Sequence, residues 1–324
     1  MRIVYFADGP WAHRALERIL ADSRFEVACI VPRFDTRDPV LAGFAQRLHV
    51  DFLPLANVND AASIERLGRY DASLFVSMSY NQIFRAPLIA AAPKGLINCH
   101  AGALPFYRGR NILNWALING AKQFGVTVHH VDQGIDTGDI ILQRHAAIDD
   151  RDDYGSLLEK ATALCAETLY DALDQIERGV AQRTPQASIH PVGTYFGRRR
   201  EGDEWIDWGW PSRRIFDFVR GIAPPGPGAR TLRGEEIVSV LGAELIECAP
   251  DYIGRTGEVV GVSGRGAVVK TGDSTLLLTR VVTGVPRPLA VGHRLGADPL
   301  ALLHRLQGQV AELQARVREL EGGR

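Results

Sequence analysis

The sequence predicts an α/β protein with a doubly wound parallel sheet, followed by a small β-barrel and a C-terminal helix. Short apolar runs alternate with helical patterns over roughly the first 180 residues, which is typical of such a sheet. Several short β runs without helices come later, and the chain ends in apolar residues at heptad spacing. Because 324 residues exceed what one hydrophobic core usually serves, we expect domains over 1–200, 201–298 and 299–324.

The first part of the chain supplies the strands of the predicted sheet. Runs of strand length lie at 2–7, 25–31, 51–55, 72–78, 95–100 and 125–131. A helix over about 154–178 follows, because Leu157, Ala161 and Leu164 recur at helical spacing. The pattern is Rossmann-like, but no G-x-G-x-x-G motif follows the first run, so a dinucleotide cofactor is not indicated.

From about residue 201 the pattern changes. One helical pattern through Ile215 and Val219 is followed by PPGPGA at 224–229, which breaks the chain. The short β runs after it are separated by Gly and Asp turns and predict an OB-like barrel. The last segment has the a/d spacing of a coiled coil, at Leu303, Leu306, Val310, Leu313, Val317 and Leu320. We expect this helix to form a homodimer or, alternatively, to pack on its own barrel.

Composition argues against several classes of protein. The formal net charge of -1 gives no general reason to expect a nucleic-acid partner. No apolar run approaches the roughly 20 residues that span a bilayer, so we expect no membrane association. The cysteines contain no C-x-x-C pair, which argues against a zinc site or a disulfide framework and favours a cytoplasmic location. They are Cys29, Cys99, Cys165 and Cys248.

Asn98 and His100 lie two residues apart on the predicted strand GLINCH (95–100). Side chains alternate along a strand, so both face one side at its carboxyl end, where doubly wound sheets bind ligands. Asp136 follows a later strand in a loop rich in Gly and Asp and could place a carboxylate beside them. These residue types suit acyl transfer to an amine. An imidazole can accept the amine proton, an amide can donate to the oxyanion, and a carboxylate can stabilise the imidazolium.

Each of these residues also has a structural interpretation. An Asn-x-His pair on a strand is more often structural than catalytic, and Asp-Thr-Gly at 136–138 suits a tight turn. Asp139 is a competing carboxylate. Of His129 and His130 we expect at least one to face inward, in a core or supporting role and not as a metal ligand.

The longer sequence around these residues closely resembles one enzyme family. INCHAGALPFYRGRNILNWALING (97–120), followed by GVTVHHVDQGIDTGDIILQ (125–143), is similar to the formyltetrahydrofolate-dependent formyltransferases. The resemblance covers roughly residues 1 to 290 and implies that Asn98, His100 and Asp136 are catalytic. It also implies a cis bond between Leu104 and Pro105. The sequence departs from the family in having Ala101-Gly102-Ala103 where Gly-Ser or Pro-Ser often follows the His.

The resemblance further implies N10-formyltetrahydrofolate as co-substrate, without a metal. Two segments match the family's folate pocket, and they consist of Asn81, Gln82, Ile83 and Phe84, and of Asp132, Gln133, Gly134 and Ile135. TYFGRRREGDEWIDW (194–208) and FVRGIAPPGPGA (218–229) look like the start of the C-terminal domain in two branches. These are the methionyl-tRNA formyltransferases and the UDP-4-amino-4-deoxy-L-arabinose formyltransferases.

Members of this family differ in the amine that they formylate. The tRNA enzymes carry a basic insertion after the second strand, whereas residues 31–44 here read VPRFDTRDPVLAGF. Residues 201–324 contain 15 Arg+Lys against 16 Asp+Glu, which does not make the cationic face that many phosphates require. The glycinamide ribonucleotide enzymes lack such a C-terminal barrel. We therefore expect a nucleotide-linked amino sugar as acceptor.

One diphosphate needs only one or two arginines, and Arg108 or Arg110 could serve, with Tyr107 beside them. Loop anchoring by the arginines and simple packing by Tyr107 are the structural alternatives. Three other functions also stay open: a methionyl-tRNA formyltransferase, a hydrolase that uses water as acceptor, and a non-catalytic folate-binding or regulatory module. The intact set of Asn98, His100 and Asp136 argues against the last of these.

Overall fold

A computed structural model describes residues 1–284, 287–296 and 299–322 of the chain. The chain divides into two compact units, Met1–Arg200 and Glu201–Arg324. The further domain boundary that we expect at residue 298 lies outside the described residues and stays a prediction.

The first unit is built on a seven-stranded sheet. Its strands are β1 (Arg2–Ala7), β2 (Glu26–Pro32), β3 (Asp51–Phe52), β4 (Leu74–Met78), β5 (Leu96–His100), β7 (Gln123–His130) and β8 (Ile140–Ala147). Their order across the sheet is β3-β2-β1-β4-β5-β7-β8. Two further short strands, β6 (Arg108–Gly109) and β9 (Tyr195–Phe196), pair with each other in parallel.

Helices cover both faces of this sheet. They are α1 (Gly9–Leu20), α2 (Pro39–Leu48), α3 (Ala61–Gly68), α4 (Ala86–Ile89), α5 (Ile112–Ile118), α6 (Tyr154–Glu177) and α7 (Gln186–Ile189). Apolar residues of α1, α2, α5 and α6 share one buried cluster with the sheet, and those of α3 and α4 share a second cluster. The predicted Rossmann-like architecture is confirmed, and α6 agrees closely with the predicted helix.

The predicted parallel sheet is confirmed over five of its strands, but the last two strands along the chain are antiparallel. The strands pair in parallel from β3 as far as β5, but β7 is antiparallel to β5 and β8 is antiparallel to β7. Parallel strands need a crossover that carries the chain back along the sheet. Between β5 and β7 the one helix is α5, which is seven residues or about 10 Å long, so the chain re-enters the sheet at the carboxyl end of β5. The connection from β7 to β8 contains no helix.

The second unit contains an antiparallel sheet and two helices within the described residues. Its elements are α8 (Ser212–Gly221), β10 (Ala229–Arg233), β11 (Glu236–Leu245), β12 (Val259–Ser263), β13 (Gly266–Lys270), β14 (Thr275–Thr283) and α9 (Pro299–Gly322). The strand order is β10-β11-β14-β13-β12, and α8 packs against β11 and β14. The predicted domain of short strands is confirmed, but strand pairing among the described residues does not close a barrel. Within these residues, single bridges reach the two edges, from Leu295 to Arg233 of β10 and from Arg294 to Glu258 beside β12.

The predicted C-terminal helix is present as α9. Its apolar residues from Leu303 to Val317 are exposed, while the side chain of Leu320 lies outside the described part. Over the described ranges, no helix combines the length and the apolar character needed to cross a membrane.

The N-terminus of α6 gives a test of the fold. Asp153 accepts from the backbone N–H of Ser156, and the Ser156 hydroxyl accepts in turn from the N–H of Asp153. Replacing such a cap by alanine typically costs about 1 kcal/mol. We expect Asp153→Ala to lower the free energy of unfolding by about that amount in urea titrations followed by circular dichroism. Asp153→Asn keeps the capping oxygen and is the control, and equal losses in the two variants would contradict the capping role.

Candidate active site

Strand β5 divides its side chains between the core and a cavity. Ile97 and Cys99 lie in the buried cluster beneath α6, and the alternating residues Asn98 and His100 face the other side. Both line a cavity of about 760 Å³ in the first unit, at the carboxyl end of the parallel strands. This is the end at which α/β sheets bind ligands. The predicted placement of these two side chains on one face is therefore what the structure shows.

One imidazole nitrogen of His100 is held by the loop that follows β5. Nε2 lies 2.8 Å from the backbone carbonyl oxygen of Tyr107, which can only accept, so Nε2–H donates. In the neutral ring the lone pair is then on Nδ1, which lies 3.7 Å from Oδ2 of Asp136. His100 is thus oriented with its basic nitrogen beside a carboxylate. The Leu104–Pro105 bond in this loop is cis, as the family resemblance implied.

Gly102 makes the bond between His100 and Tyr107 possible. A Cβ atom at this position would lie 2.5 Å from His100 Nε2 and 2.5 Å from the Tyr107 carbonyl oxygen. Both distances are far shorter than a van der Waals contact. The departure from the family pattern at 101–103 therefore places a glycine where a Cβ atom would meet both groups.

Asp136 is a nearly buried carboxylate with three partners. Its Oδ2 accepts from the backbone N–H of Gly109 at 2.9 Å, and its Oδ1 lies 3.6 Å from Nε2 of His129. Burial by itself raises the pKa of Asp136, but the nearby imidazoles of His100 and His129 and the Gly109 N–H outweigh it and hold the pKa well below its usual range. The carboxylate is therefore ionised at neutral pH.

His129 belongs to this site, although the sequence analysis gave it only a core or supporting role. It lies directly opposite Asn98 on the antiparallel pair of β5 and β7, and the Asn98 amide nitrogen is 3.4 Å from its Nε2. Its Nδ1 donates to the backbone carbonyl of His130 at 2.8 Å. Only 2% of the His129 side chain is exposed. A correct prediction of the antiparallel pairing would have found it.

Gln186 was also missed, and it ties together the two loops that carry the site. Its amide nitrogen donates to the backbone carbonyls of Asp136 and Gly138, at 2.9 and 2.8 Å. Its oxygen accepts from the guanidinium of Arg108. It is 3% exposed, and a single Gln in a four-residue helix gives no signal in the sequence.

The structure separates the predicted acceptor-binding residues. Arg110 lines the cavity, but Tyr107 and Arg108 do not. Besides Gln186, Arg108 donates to the carbonyl of Val192, and so it anchors the loop. The ring of Tyr107 stacks on Phe196 with centroids 5.0 Å apart, so its side chain packs beside the cavity.

Most residues of the two predicted folate segments line the cavity. Ile83 and Ile135 are exposed there, 64% and 47% respectively. Gln82 and Phe84 are engaged in packing the wall: Gln82 accepts from the N–H of Val58 and donates to the carbonyl of Leu55. The remaining lining residues of the two segments are Asn81, Asp132 and Gly134, whereas Gln133 does not line the cavity.

The competing residues lie outside the cavity. Asp139 is 3.9 Å from the guanidinium of Arg183. Burial and the nearby charge of Arg183 lower the pKa of His130 to about 4, so this imidazole is neutral at pH 7. Within the described residues, no group of three or more His, Cys, Asp or Glu side chains is arranged to hold a metal ion.

Comparison with known proteins identifies the family. Residues 23–173 match the family described as formyl transferase, and residues 199–287 match its C-terminal domain. A methionyl-tRNA formyltransferase of Anaeromyxobacter sp. is 34% identical over 250 residues, which are 76% of this chain and 78% of the relative. One of Pelotomaculum thermopropionicum is 29% identical over 309 residues, 93% of this chain and 96% of the relative. The chain belongs to the formyltransferase family, as the sequence motifs predicted.

A solved structure shares the fold. WlaRD, a sugar 3-N-formyltransferase crystallised with dTDP and 5-N-formyl-THF, has a TM-score of 0.67 to this chain at 20% identity. The match covers 89% of this chain and 99% of WlaRD. At this level of identity the likeness shows the fold, and the acceptor must be argued from the residues of this chain.

Gly102 gives a direct test of the site geometry. We expect Gly102→Ala to lower kcat/KM for formyl transfer by about 10² or more, because the added Cβ displaces His100 from the Tyr107 carbonyl and general acid–base groups contribute about 10²–10⁴. Gly43→Ala is the matched control, since a Cβ there meets nothing within 4 Å. Steady-state kinetics of the two variants decide the point, and equal activity would refute the packing argument.

The lowered pKa of Asp136 predicts a pH dependence of stability. A carboxylate whose folded-state pKa lies below its unfolded value of about 3.9 stabilises the fold fully above that value, and this contribution is lost as the pH falls. Asp136→Asn removes the titration. We expect the free energy of unfolding to fall more steeply for the wild type than for Asp136→Asn between about pH 5 and 3. Urea titrations at each pH measure it, and parallel curves would contradict the lowered pKa.

Proposed function

We propose that this protein transfers a formyl group from N10-formyltetrahydrofolate to the primary amine of a nucleotide-linked amino sugar. The observation that carries the proposal is the convergence of Asn98, His100 and Asp136 on one cavity that also contains the two predicted folate segments. An amide donor, an oriented imidazole and an ionised carboxylate are the groups that amine acylation requires.

Each of the three residues has a role that follows from its contacts. The bound folate supplies the formyl carbon as the electrophile. His100 accepts the amine proton at Nδ1, since its Nε2 is already committed to the Tyr107 carbonyl. Asp136, 3.7 Å from that nitrogen, stabilises the resulting imidazolium, which then protonates the departing nitrogen. Asn98 donates an amide N–H to the oxyanion, an interaction whose removal typically costs about 10²–10³ in rate.

The cavity wall fits a reduced folate. The Oδ1 atom of Asn81 is buried and has no hydrogen-bond partner among the described residues. Such an acceptor costs free energy unless a donor reaches it, and the N–H groups of a reduced pterin are suitable donors. The exposed side chains of Ile83 and Ile135 provide apolar contact for the rings. Asn81, Ile83 and Ile135 are therefore the residues that we propose hold the co-substrate.

The acceptor side of the cavity fits a nucleoside diphosphate. Arg110 and Arg198 line the cavity, and neither has an ion-pair partner in the part of the chain that the structure describes. Tyr195 also lines it and is 58% exposed, so its ring is available to a base. Two arginines suffice for one diphosphate, because a guanidinium can bind phosphate oxygens with two parallel hydrogen bonds.

Methionyl-tRNA formyltransferase is the second candidate. The relatives that are 29% and 34% identical to this chain carry that name, and the first matches almost the whole chain. The charge distribution favours the sugar nucleotide. Residues 201–324 carry a net charge of -1 from 15 basic and 16 acidic side chains. Binding a polynucleotide requires many contacts between basic side chains and phosphates.

An acceptor panel tests the proposal. The protein is incubated with N10-formyltetrahydrofolate and with UDP-, dTDP- or GDP-linked amino sugars, or with methionyl initiator tRNA, and the products are identified by mass spectrometry. We expect formylation of at least one nucleotide sugar and none of the tRNA at physiological salt.

The His100→Asn variant is the control and should be inactive with every acceptor. Salt-sensitive formylation of the tRNA would establish the second candidate instead. Loss of the formyl group without any acceptor would indicate a hydrolase, and no reaction under any condition would indicate a folate-binding module.

A further inference from the structure

Helix α9 presents an apolar stripe to the solvent. Its members are Leu303, Leu306, Val310, Leu313 and Val317, and their exposures lie between 48% and 63%. They recur at intervals of three and four residues along a helix of 24 residues, which is about 36 Å long. A stripe of this width is the seam of a coiled coil, narrower than the face that a helix buries in a globular core.

The residue types along the stripe select a partner. In heptad notation Leu303, Val310 and Val317 occupy position a, and Leu306 and Leu313 occupy position d. β-Branched residues at position a together with Leu at position d favour a parallel coiled coil of two helices. The shape of each side chain determines how it packs between the side chains of the facing helix. A helix with the same pattern is the complementary surface, and a second copy of the chain supplies one through two-fold symmetry.

The positions beside the stripe are compatible with an identical partner. Positions e and g flank the seam, and across the described residues they hold Gln307, Gln309, Gln314 and Arg316. In a parallel pair, g of one strand meets e five residues further along the other, so Gln309 would face Gln314 of the second copy. Like charges would repel in a symmetric pair, and neutral glutamines avoid that cost. Gly308 lies at position f, and a Cβ there meets nothing within 4 Å, so it does not interrupt the seam.

We propose that α9 pairs with α9 of a second copy in a parallel, in-register, two-stranded coiled coil, and that this contact makes the protein a dimer. The inference does not depend on the acceptor of the reaction. It depends on the heptad register and on the exposure of the stripe.

A pair of charge substitutions tests whether the stripe is the contact. Val310→Lys with Val317→Lys places two charges at position a on each strand, whereas Ala311→Lys with Ala315→Lys adds the same charges at b and f, away from the seam. By sedimentation equilibrium of the full chain at micromolar concentration, we expect a dimer for the wild type and the second variant. The first variant should be a monomer. Its far-UV circular dichroism spectrum should differ from that of the wild type only by the helical signal of α9. Dimer in the first variant, or monomer in the wild type, would overturn the proposal.

A single cysteine tests the orientation. In a Cys248→Ser background, which removes the exposed native thiol, Leu306→Cys places one thiol per strand away from the middle of α9. A parallel in-register pair brings the two thiols together, so mild oxidation should link most of the protein as a covalent dimer. An antiparallel pair separates them, and cross-linking would then require Leu306→Cys together with Val317→Cys. Linkage in the double variant alone, or a wild-type trimer or tetramer, would exclude the parallel two-stranded arrangement.

Discussion

One carboxylate, that of Asp136, must remain ionised where little solvent reaches it, and much of the first unit depends on this. An unpaired buried charge costs several kcal/mol, even after the surrounding structure relaxes. Here that cost is offset by the backbone N–H of Gly109 on β6 and by the imidazoles of His100 on β5 and His129 on β7 in their protonated forms. Three segments distant in sequence must therefore meet within hydrogen-bonding or ion-pairing reach of two oxygen atoms. The antiparallel turn of the chain after β5 is what brings His129 into that position.

Two residues in the loops at the site have backbone conformations that residues other than glycine rarely adopt. Tyr107 and Asp136 have φ values of 58° and 55°, in the left-handed region, and a non-glycine residue there costs on the order of 1 kcal/mol or more. Specific bonds compensate. The N–H of Tyr107 donates to the hydroxyl of Thr194 and its carbonyl accepts from His100, while the carbonyl of Asp136 accepts from Gln186. The left-handed turn at Tyr107 aims its carbonyl at the imidazole, so the strained conformation is part of how His100 is oriented.

Local patterns in the sequence predicted the features that depend on residues close together in the chain. Alternation along β5 placed Asn98 and His100 on one face, and helical spacing predicted α6 almost to its ends. What could not be predicted depends on contacts between distant segments. The role of His129 requires the direction of β7, and that of Gln186 requires knowing that α7 packs beside the Asp136 loop, 50 residues away. The family motif brought Asp136 into the prediction, because its spacing alone is equally typical of a turn.

The two arginines of the loop after β5 also have different surroundings that the sequence does not reveal. Arg108 and Arg110 are equivalent in the sequence, since both are basic residues in a Gly-rich loop. They differ in space because Arg108 lies in β6, which pairs with β9, whereas Arg110 follows the end of β6. Arg108 meets Gln186 and the Val192 carbonyl, whereas Arg110 lines the cavity. The sequence could not predict this difference, because β6 and β9 are far apart in the chain.

Gly109 links the Asp136 carboxylate to strand β9. Its N–H holds Asp136, and it pairs with Phe196 on β9 so closely that a Cβ atom would lie 2.1 Å from the Phe196 carbonyl oxygen. Tyr195 of β9 and the nearby Arg198 line the cavity. A single peptide group therefore connects β9 to the hydrogen bond that Asp136 accepts. In contrast, the side chains of Tyr195 and Arg198 are exposed, and the partners of the Asp136 carboxylate among the described residues are Gly109, His100 and His129.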